Sequence, residues 1–225
     1  MNFLSTVKGK LIVSCQALPD EPLHSSFIMG RMALAAKEGG AKAIRAQSSV
    51  DIQEIKKVTN LPVIGLVKRN YADSPIYITP TMAEVEELLS TECEMIALDM
   101  TGRPRPAGEK IEMLLARIHE AGRLVLADIS TYEEGMTAAK LGADAISTTL
   151  SGYTPYSPQL TGPDVDLVAR LSKALAIPVF AEGRINVPED ISRVMEAGAY
   201  APIVGSAITR PQLITAKFAQ KLGNS

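Results

Sequence analysis

The sequence has no tryptophan, and aromatic residues make up only 4% of its 225 positions. Hydrophobic residues nevertheless reach 46%. The core must therefore be filled by Ala, Val, Ile and Leu, small side chains that let helices lie close on a parallel sheet. Cysteine is scarce too. Cys15 and Cys93 are the only two, neither sits in a metal-type cluster, and both are expected to be reduced and buried. The only histidines are His24 and His119, too scattered for a multi-histidine site, so no metal is expected. His119 reads as a surface residue of a helix and His24 as a loop or capping residue. The formal charge is −2 with no Lys/Arg block, which excludes a nucleic-acid or anionic-membrane surface. No apolar run approaches the roughly 20 residues of a membrane span. The opening MNFLSTVKGKLIVS lacks a signal-peptide layout, so a soluble, cytoplasmic protein is expected. No GxGxxG follows the first β-rich run, which argues against a dinucleotide cofactor there.

What is present is an alternation of short β-rich runs and longer helical patterns. Strands are predicted over 11–16, 41–46, 62–68, 94–100, 123–129, 144–150, 178–183 and 202–207. The runs are apolar on both faces, as for parallel strands with helices on one side and packed core on the other. EGGAKAI, EAGRLVL, KLGADAI and EAGAYAPIV repeat one theme: a helix end, a Gly suited to the left-handed terminating residue, then a strand. Ser130, Thr131 and Asp164 suit N-caps, and Pro188 and Pro211 suit first-turn positions. Eight βα units with right-handed crossovers imply a (β/α)₈ TIM barrel over residues 1–225 as one domain. The connections 69–80 and 151–163 are long and follow strands, which puts them at the catalytic rim.

In such a barrel, polar residues at strand C-termini point into the mouth. Reading those places gives Gln16, Arg45, Lys68, Asp99, Asp128, Glu182 and the Gly205-Ser206 pair. Buried charges are costly unless paired or functional. The alternative to a site is an ion-pair plug of Arg45, Lys68, Asp99, Asp128 and Glu182. Lys68 ends the otherwise apolar VIGLVK. Burial and neighbouring positive charge would lower its pKa and supply a neutral amine. Glu182, across the mouth, would complete a pair suited to proton transfer at carbon. Arg45 and Arg210 are anion-clamp candidates. AEGRI and VGSAITRP put Gly183 and Gly205 in the loops after strands seven and eight, where many barrels bind phosphate beside a short helix N-terminus.

Segments along the whole chain, among them IVSCQALPDEPLHSS, GAKAIRAQS, PVIGLVKRNY, IALDMTGRPRP, ISTTLSGYTPYS, VFAEGRINVPED and VGSAITRP, resemble the N-acylmannosamine-6-phosphate 2-epimerase family in that family's order. ALDMTGRPRP and LSGYT carry most of the specificity; AEGR and VGSAITRP are shared in kind with other phosphate-binding barrels. The resemblance implies reversible inversion at C2 between N-acetylmannosamine 6-phosphate and N-acetylglucosamine 6-phosphate, in sialic-acid breakdown. It implies catalytic roles for Lys68 and Glu182, and substrate contacts from Gln16, Arg45, Asp128 and Arg210. Gly183, Arg184, Gly205 and Ser206 match the phosphate loops. It also implies a homodimer and no redox cofactor. The rival readings are another phosphate-binding barrel enzyme, such as a pentose-phosphate epimerase, or a non-catalytic sugar-phosphate sensor. A sensor needs no matched acid and base.

Overall fold

The computed structural model describes residues 2–222. The strands are β1 (Ile12–Cys15), β2 (Ala43–Gln47), β3 (Val63–Leu66), β4 (Met95–Asp99), β5 (Leu124–Asp128), β6 (Ala145–Ser147), β7 (Val179–Glu182) and β8 (Ala201–Val204). They pair in parallel in chain order, and β8 returns to β1 to close a TIM barrel. The helices are α1 (Phe3–Val7), α2 (Ser26–Glu38), α3 (Ser49–Thr59), α4 (Met82–Leu89), α5 (Ile111–Glu120), α6 (Tyr132–Lys140), α7 (Val165–Ala174), α8 (Pro188–Glu196), α9 (Ser206–Thr209) and α10 (Pro211–Ala219). None of the described helices is long and apolar enough to cross a membrane.

All eight predicted strands form, but most are shorter than the runs that announced them. The run 62–68 pairs only over Val63–Leu66, 144–150 only over Ala145–Ser147, and 202–207 gives way to α9 at Ser206. Apolar character reports burial, and the residues past the last ladder bond stay buried in the mouth without a strand partner.

The side-chain period of two sorts each strand into an inward and an outward set. Ile12, Ala43, Ile64, Leu66, Met95, Ala97, Leu126, Ala145, Phe180, Ala201 and Ile203 form one buried cluster inside the barrel. Val13, Cys15, Ile44, Ala46, Ile96, Leu98, Val125, Ala127 and Ile146 belong to the cluster under the helices. Fully burying a side chain of this size stabilises by about 1.5–3 kcal/mol. At Gly65, outward on β3, a Cβ would meet Cys93 Sγ and Ile52 Cδ1 at 3.0 Å and Leu88 Cδ2 at 3.1 Å. The missing side chain is what lets the flanking helix side chains close over that strand.

The helix signals act as expected with one exception. Thr131 caps α6 in a capping box with Glu134, and Asp164 caps α7 by accepting from Leu167 N. Pro188 and Pro211 open α8 and α10. Gly40, Gly122, Gly142 and Gly198, from the repeated helix–Gly–strand theme, all take positive φ. Ser130 is not a cap; its hydroxyl donates to Glu134 Oε2 at 2.7 Å. The sequence reading also missed α1. Its Phe3 and Val7 join the inner cluster and close the N-terminal end of the barrel. Tyr200 Oη donates to Leu4 O at 3.0 Å and fastens the helix there.

Candidate active site

The inward set continues past the apolar layer as Ser14, Gln16, Arg45, Lys68, Asp128, Ser147, Thr149 and Glu182. Period two therefore delivers polar groups to the C-terminal mouth. A cavity of about 750 Å³ opens there. Gln16, Arg45, Lys68, Glu182, Gly183, Arg184, Gly205, Ser206 and Arg210 all line it. The long connections contribute Asn70, Tyr77, Ile78 and Tyr153. Two expected residues do not reach the cavity. Asp128 is fully buried beneath Arg45 and does not line the cavity. Asp99 turns aside to accept from Thr101 and from Arg103 Nη2 at 2.6 Å.

Arg45 organises the floor. It is 1% exposed, and its Nη2 donates to Asp128 Oδ2 at 2.5 Å. Its Nη1 donates to Glu182 Oε2 and, at 2.9 Å, to Thr149 Oγ1. Thr149 Oγ1 donates onward to Asp128 Oδ1 at 2.6 Å and lies 3.0 Å from Glu182 Oε2. The predicted plug thus forms from three of its five proposed members, while Lys68 and Asp99 stay outside it. Burial alone would lower the Arg45 pKa, but the two carboxylates raise it above its ordinary value. Burial pushes the Asp128 carboxyl up to about 6, with the Glu182 charge adding to the rise and Arg45 opposing it. Every protein polar contact to Glu182's carboxylate falls on Oε2, to which Arg45 and Ser147 donate and beside which Thr149 Oγ1 lies. Among the described residues none donates to Oε1.

Lys68 lies two residues past β3 and bridges Ile78 in antiparallel fashion. Its pKa is lowered to about 8, first by burial and then by the charges of Arg45 and Arg210. The carboxylates that oppose this shift, Glu182 and Glu21, are each committed to an arginine. Glu182 pairs with Arg45, and Glu21 accepts from Arg210 at 2.9 Å. Among the described residues Lys68 forms no ion pair. It is a cavity-facing amine with a lowered pKa, as its surroundings in the sequence led one to expect. Gln16 Nε2 donates to Ser14 Oγ at 2.8 Å, while its Oε1 is buried without a partner.

At the other end of the cavity, Gly183 and Arg184 both take positive φ, 103° and 53°. The loop after β8 leads directly into α9, whose first amides have no intrahelical acceptor. Arg184 reaches across to the β6–α7 connection, donating to Ser151 O at 2.6 Å and Gly162 O at 3.0 Å. Gly152, at φ 80°, leaves room for that guanidinium, since a Cβ there would fall on it. Sequence reasoning missed Ser14, Ser147, Thr149, Tyr77 and Glu21. The signal for the first three was the period of two, carried inward from the apolar layer.

The remaining singled-out groups lie elsewhere. His24 Nδ1 is 3.1 Å from Ala17 O, and His119 Nε2 is 2.9 Å from Asp144 Oδ2 near the surface. Cys15 and Cys93 are free and buried, and burial pushes the Cys15 thiol up to about 12. Among the described residues no group of three or more His, Cys, Asp or Glu side chains is placed to hold a metal ion.

Residues 29–224 match the family model described as "Putative N-acetylmannosamine-6-phosphate epimerase". A relative from Clostridium perfringens (strain SM101 / Type A), named "Putative N-acetylmannosamine-6-phosphate 2-epimerase", is 65% identical over 215 residues, covering 96% of this chain and 97% of the relative. One of the same name from Clostridioides difficile (strain 630) is 63% identical over 219 residues, covering 97% and 98%. A solved N-acetylmannosamine-6-phosphate 2-epimerase from Clostridium perfringens superposes with a TM-score of 0.97 at 63% identity, over 98% of this chain and 96% of that one. Thiamine phosphate pyrophosphorylase from Pyrococcus furiosus, 20% identical with a TM-score of 0.60, shares the fold alone.

Proposed function

Because the chain belongs to the N-acetylmannosamine-6-phosphate epimerase family, we propose that it inverts C2 of N-acetylmannosamine 6-phosphate to give N-acetylglucosamine 6-phosphate, in sialic-acid breakdown. The observation that carries the reading is Lys68: a cavity-facing amine with its pKa near 8, facing a mouth that also holds Glu182.

The hydrogen on C2 is acidic only beside a carbonyl, so the open-chain aldehyde is the reacting form. Neutral Lys68 removes that proton, leaving an enolate across C1 and C2. The proton returns on the opposite face from Oε1 of Glu182 in its protonated form, and exchange with solvent then takes the proton from Lys68 and restores one to Glu182. Ser147, Thr149 and Arg45 hold Oε2 and so aim Oε1. Asp128 acts through Arg45 as a positioning residue. Gln16, with an unpartnered buried Oε1, suits a substrate hydroxyl or amide N–H. The amides around Gly183, Gly205 and Ser206, with Arg184 and Arg210 at the rim, take the 6-phosphate and fix the substrate's far end. The chemistry calls for no redox cofactor. A phosphorylated sugar also agrees with a cytoplasmic enzyme. The homodimer reading is supported by α10, which buries none of its residues and leaves Leu213 44% and Phe218 74% exposed.

The test is incubation with N-acetylglucosamine 6-phosphate in D₂O. Deuterium at C2 together with the manno epimer is the expected result; neither exchange nor product would refute the assignment.

A further inference from the structure

An enolate needs a hydrogen-bond donor at O1, and the guanidinium at the floor of the site, Arg45, is poorly placed to be one. Arg45 is 1% exposed, and both its Nη nitrogens are bonded to Asp128, Glu182 and Thr149. Its one unpartnered nitrogen, Nε, is itself buried. Tyr77 is placed differently. It lines the cavity, and its ring packs on the inner barrel cluster that contains Leu66, Ile78 and Leu150. Among the described residues its hydroxyl has no hydrogen-bond partner. Its backbone also runs beside that of Lys68. Lys68 bridges Ile78, Arg69 N donates to Tyr77 O at 3.0 Å, and Thr79 N donates to Val67 O at 2.7 Å.

We infer that Tyr77 is a catalytic residue whose hydroxyl donates to the C1 oxygen of the substrate and stabilises the enolate formed when Lys68 takes the C2 proton. This rests on the epimerase reading above and adds to it the electrophilic group. In the step, the C2–H bond breaks and its proton passes to Lys68 Nζ. The electron pair forms the C1–C2 double bond, and the carbonyl pair moves to O1, where the Tyr77 O–H receives it as a hydrogen-bond donor. Protonation of C2 on the opposite face by the protonated Glu182 carboxyl restores the aldehyde, and solvent then takes the proton from Lys68 and returns one to Glu182, so no external reactant is consumed. Burial and the nearby charges of Asp128 and Asp99 raise the phenol pKa above its ordinary value, which keeps the hydroxyl protonated as a donor. The segment is braced from behind: Asp99 N donates to Ile78 O at 3.2 Å, and buried Arg105 donates to Pro80 O at 2.8 Å and to Asp99 O. A donor held in place before the reaction is the arrangement that stabilises developing charge most effectively.

Tyr77→Phe removes the hydroxyl and little else. The experiment compares kcat and KM for wild type and variant, C2 exchange in D₂O, and affinity for the open-chain alditol N-acetylmannosaminitol 6-phosphate, which lacks the carbonyl. The expected result is a fall in kcat of about 10²–10³-fold, the usual cost of losing one oxyanion donor, with exchange falling in parallel. Alditol affinity should stay within about threefold, since the bond matters only as charge develops. A kcat within about twofold of wild type, or an alditol affinity falling as steeply as kcat, would overturn the role of Tyr77 while leaving the epimerase reading intact. A wild-type protein that neither exchanges nor epimerises would overturn both.

Discussion

Arg45 and Asp128 form a closed ion pair at the floor of the site, 2.5 Å from Nη2 to Oδ2, with side chains 1% and 0% exposed. Neither charge has water to fall back on, so the pair acts as a unit. Its visible product is the orientation of Glu182, which shares the same guanidinium.

Asp128→Ala should therefore be costly in two ways. It strands a buried guanidinium with only Glu182 for charge balance, and breaking a buried pair in this way costs about 3–5 kcal/mol. Urea unfolding at pH 7 reads that loss. Asp128→Asn keeps the shape and should retain more stability, yet it should lower kcat more than it raises KM, because its effect passes through Glu182 rather than through substrate contact.

The proposed base, Lys68, should set the pH dependence. The base must be neutral, and its pKa is lowered to about 8. The rate should therefore rise with pH through an acidic limb centred near 8. The same shift has a stability consequence. Between about 8 and the ordinary lysine value of 10.5, the unfolded chain binds more protons than the folded one. Stability from this group thus increases as pH rises through that window and is lost as pH falls through it. Lys68→Met should abolish turnover while matching or exceeding the wild-type melting temperature at pH 7. Retained turnover in that variant would remove Lys68 from the mechanism.

Arg184 is the residue through which the proposed phosphate half of the site can be tested. Arg184→Ala should raise KM for the 6-phosphate by roughly tenfold, in keeping with loss of one charge-assisted contact, and should affect unphosphorylated N-acetylmannosamine much less. Because Arg184 also holds Ser151 O and Gly162 O, equal weakening of both ligands would mean that it serves the β6–α7 connection rather than the phosphate.

Most of the barrel was legible in the chain because its signals are local. The helix–Gly–strand repeat, the prolines opening α8 and α10 and the Thr131 and Asp164 caps each depend on a few consecutive residues. Strand ends were less legible, since Lys68 and Thr149 lie beyond the ladder yet still face inward. The short helix α1 was missed because five residues carry almost no periodic signal; it is kept by Phe3 and Val7 packing into the open end of the barrel.

The sequence by itself determined the eight alternating units and the polar residues that end them, because hydrophobic period and turn chemistry are written over short stretches. It also determined that Lys68 would be an abnormal lysine, since it ends an apolar run of the sequence. Only the tertiary structure decided which of the strand-end charges meet. Asp128 lies under Arg45, Asp99 turns to Arg103, Glu21 occupies Arg210, and Tyr77 comes to line the same cavity as Lys68. Those outcomes follow from barrel closure, which brings together residues as far apart in the chain as Arg45 and Glu182.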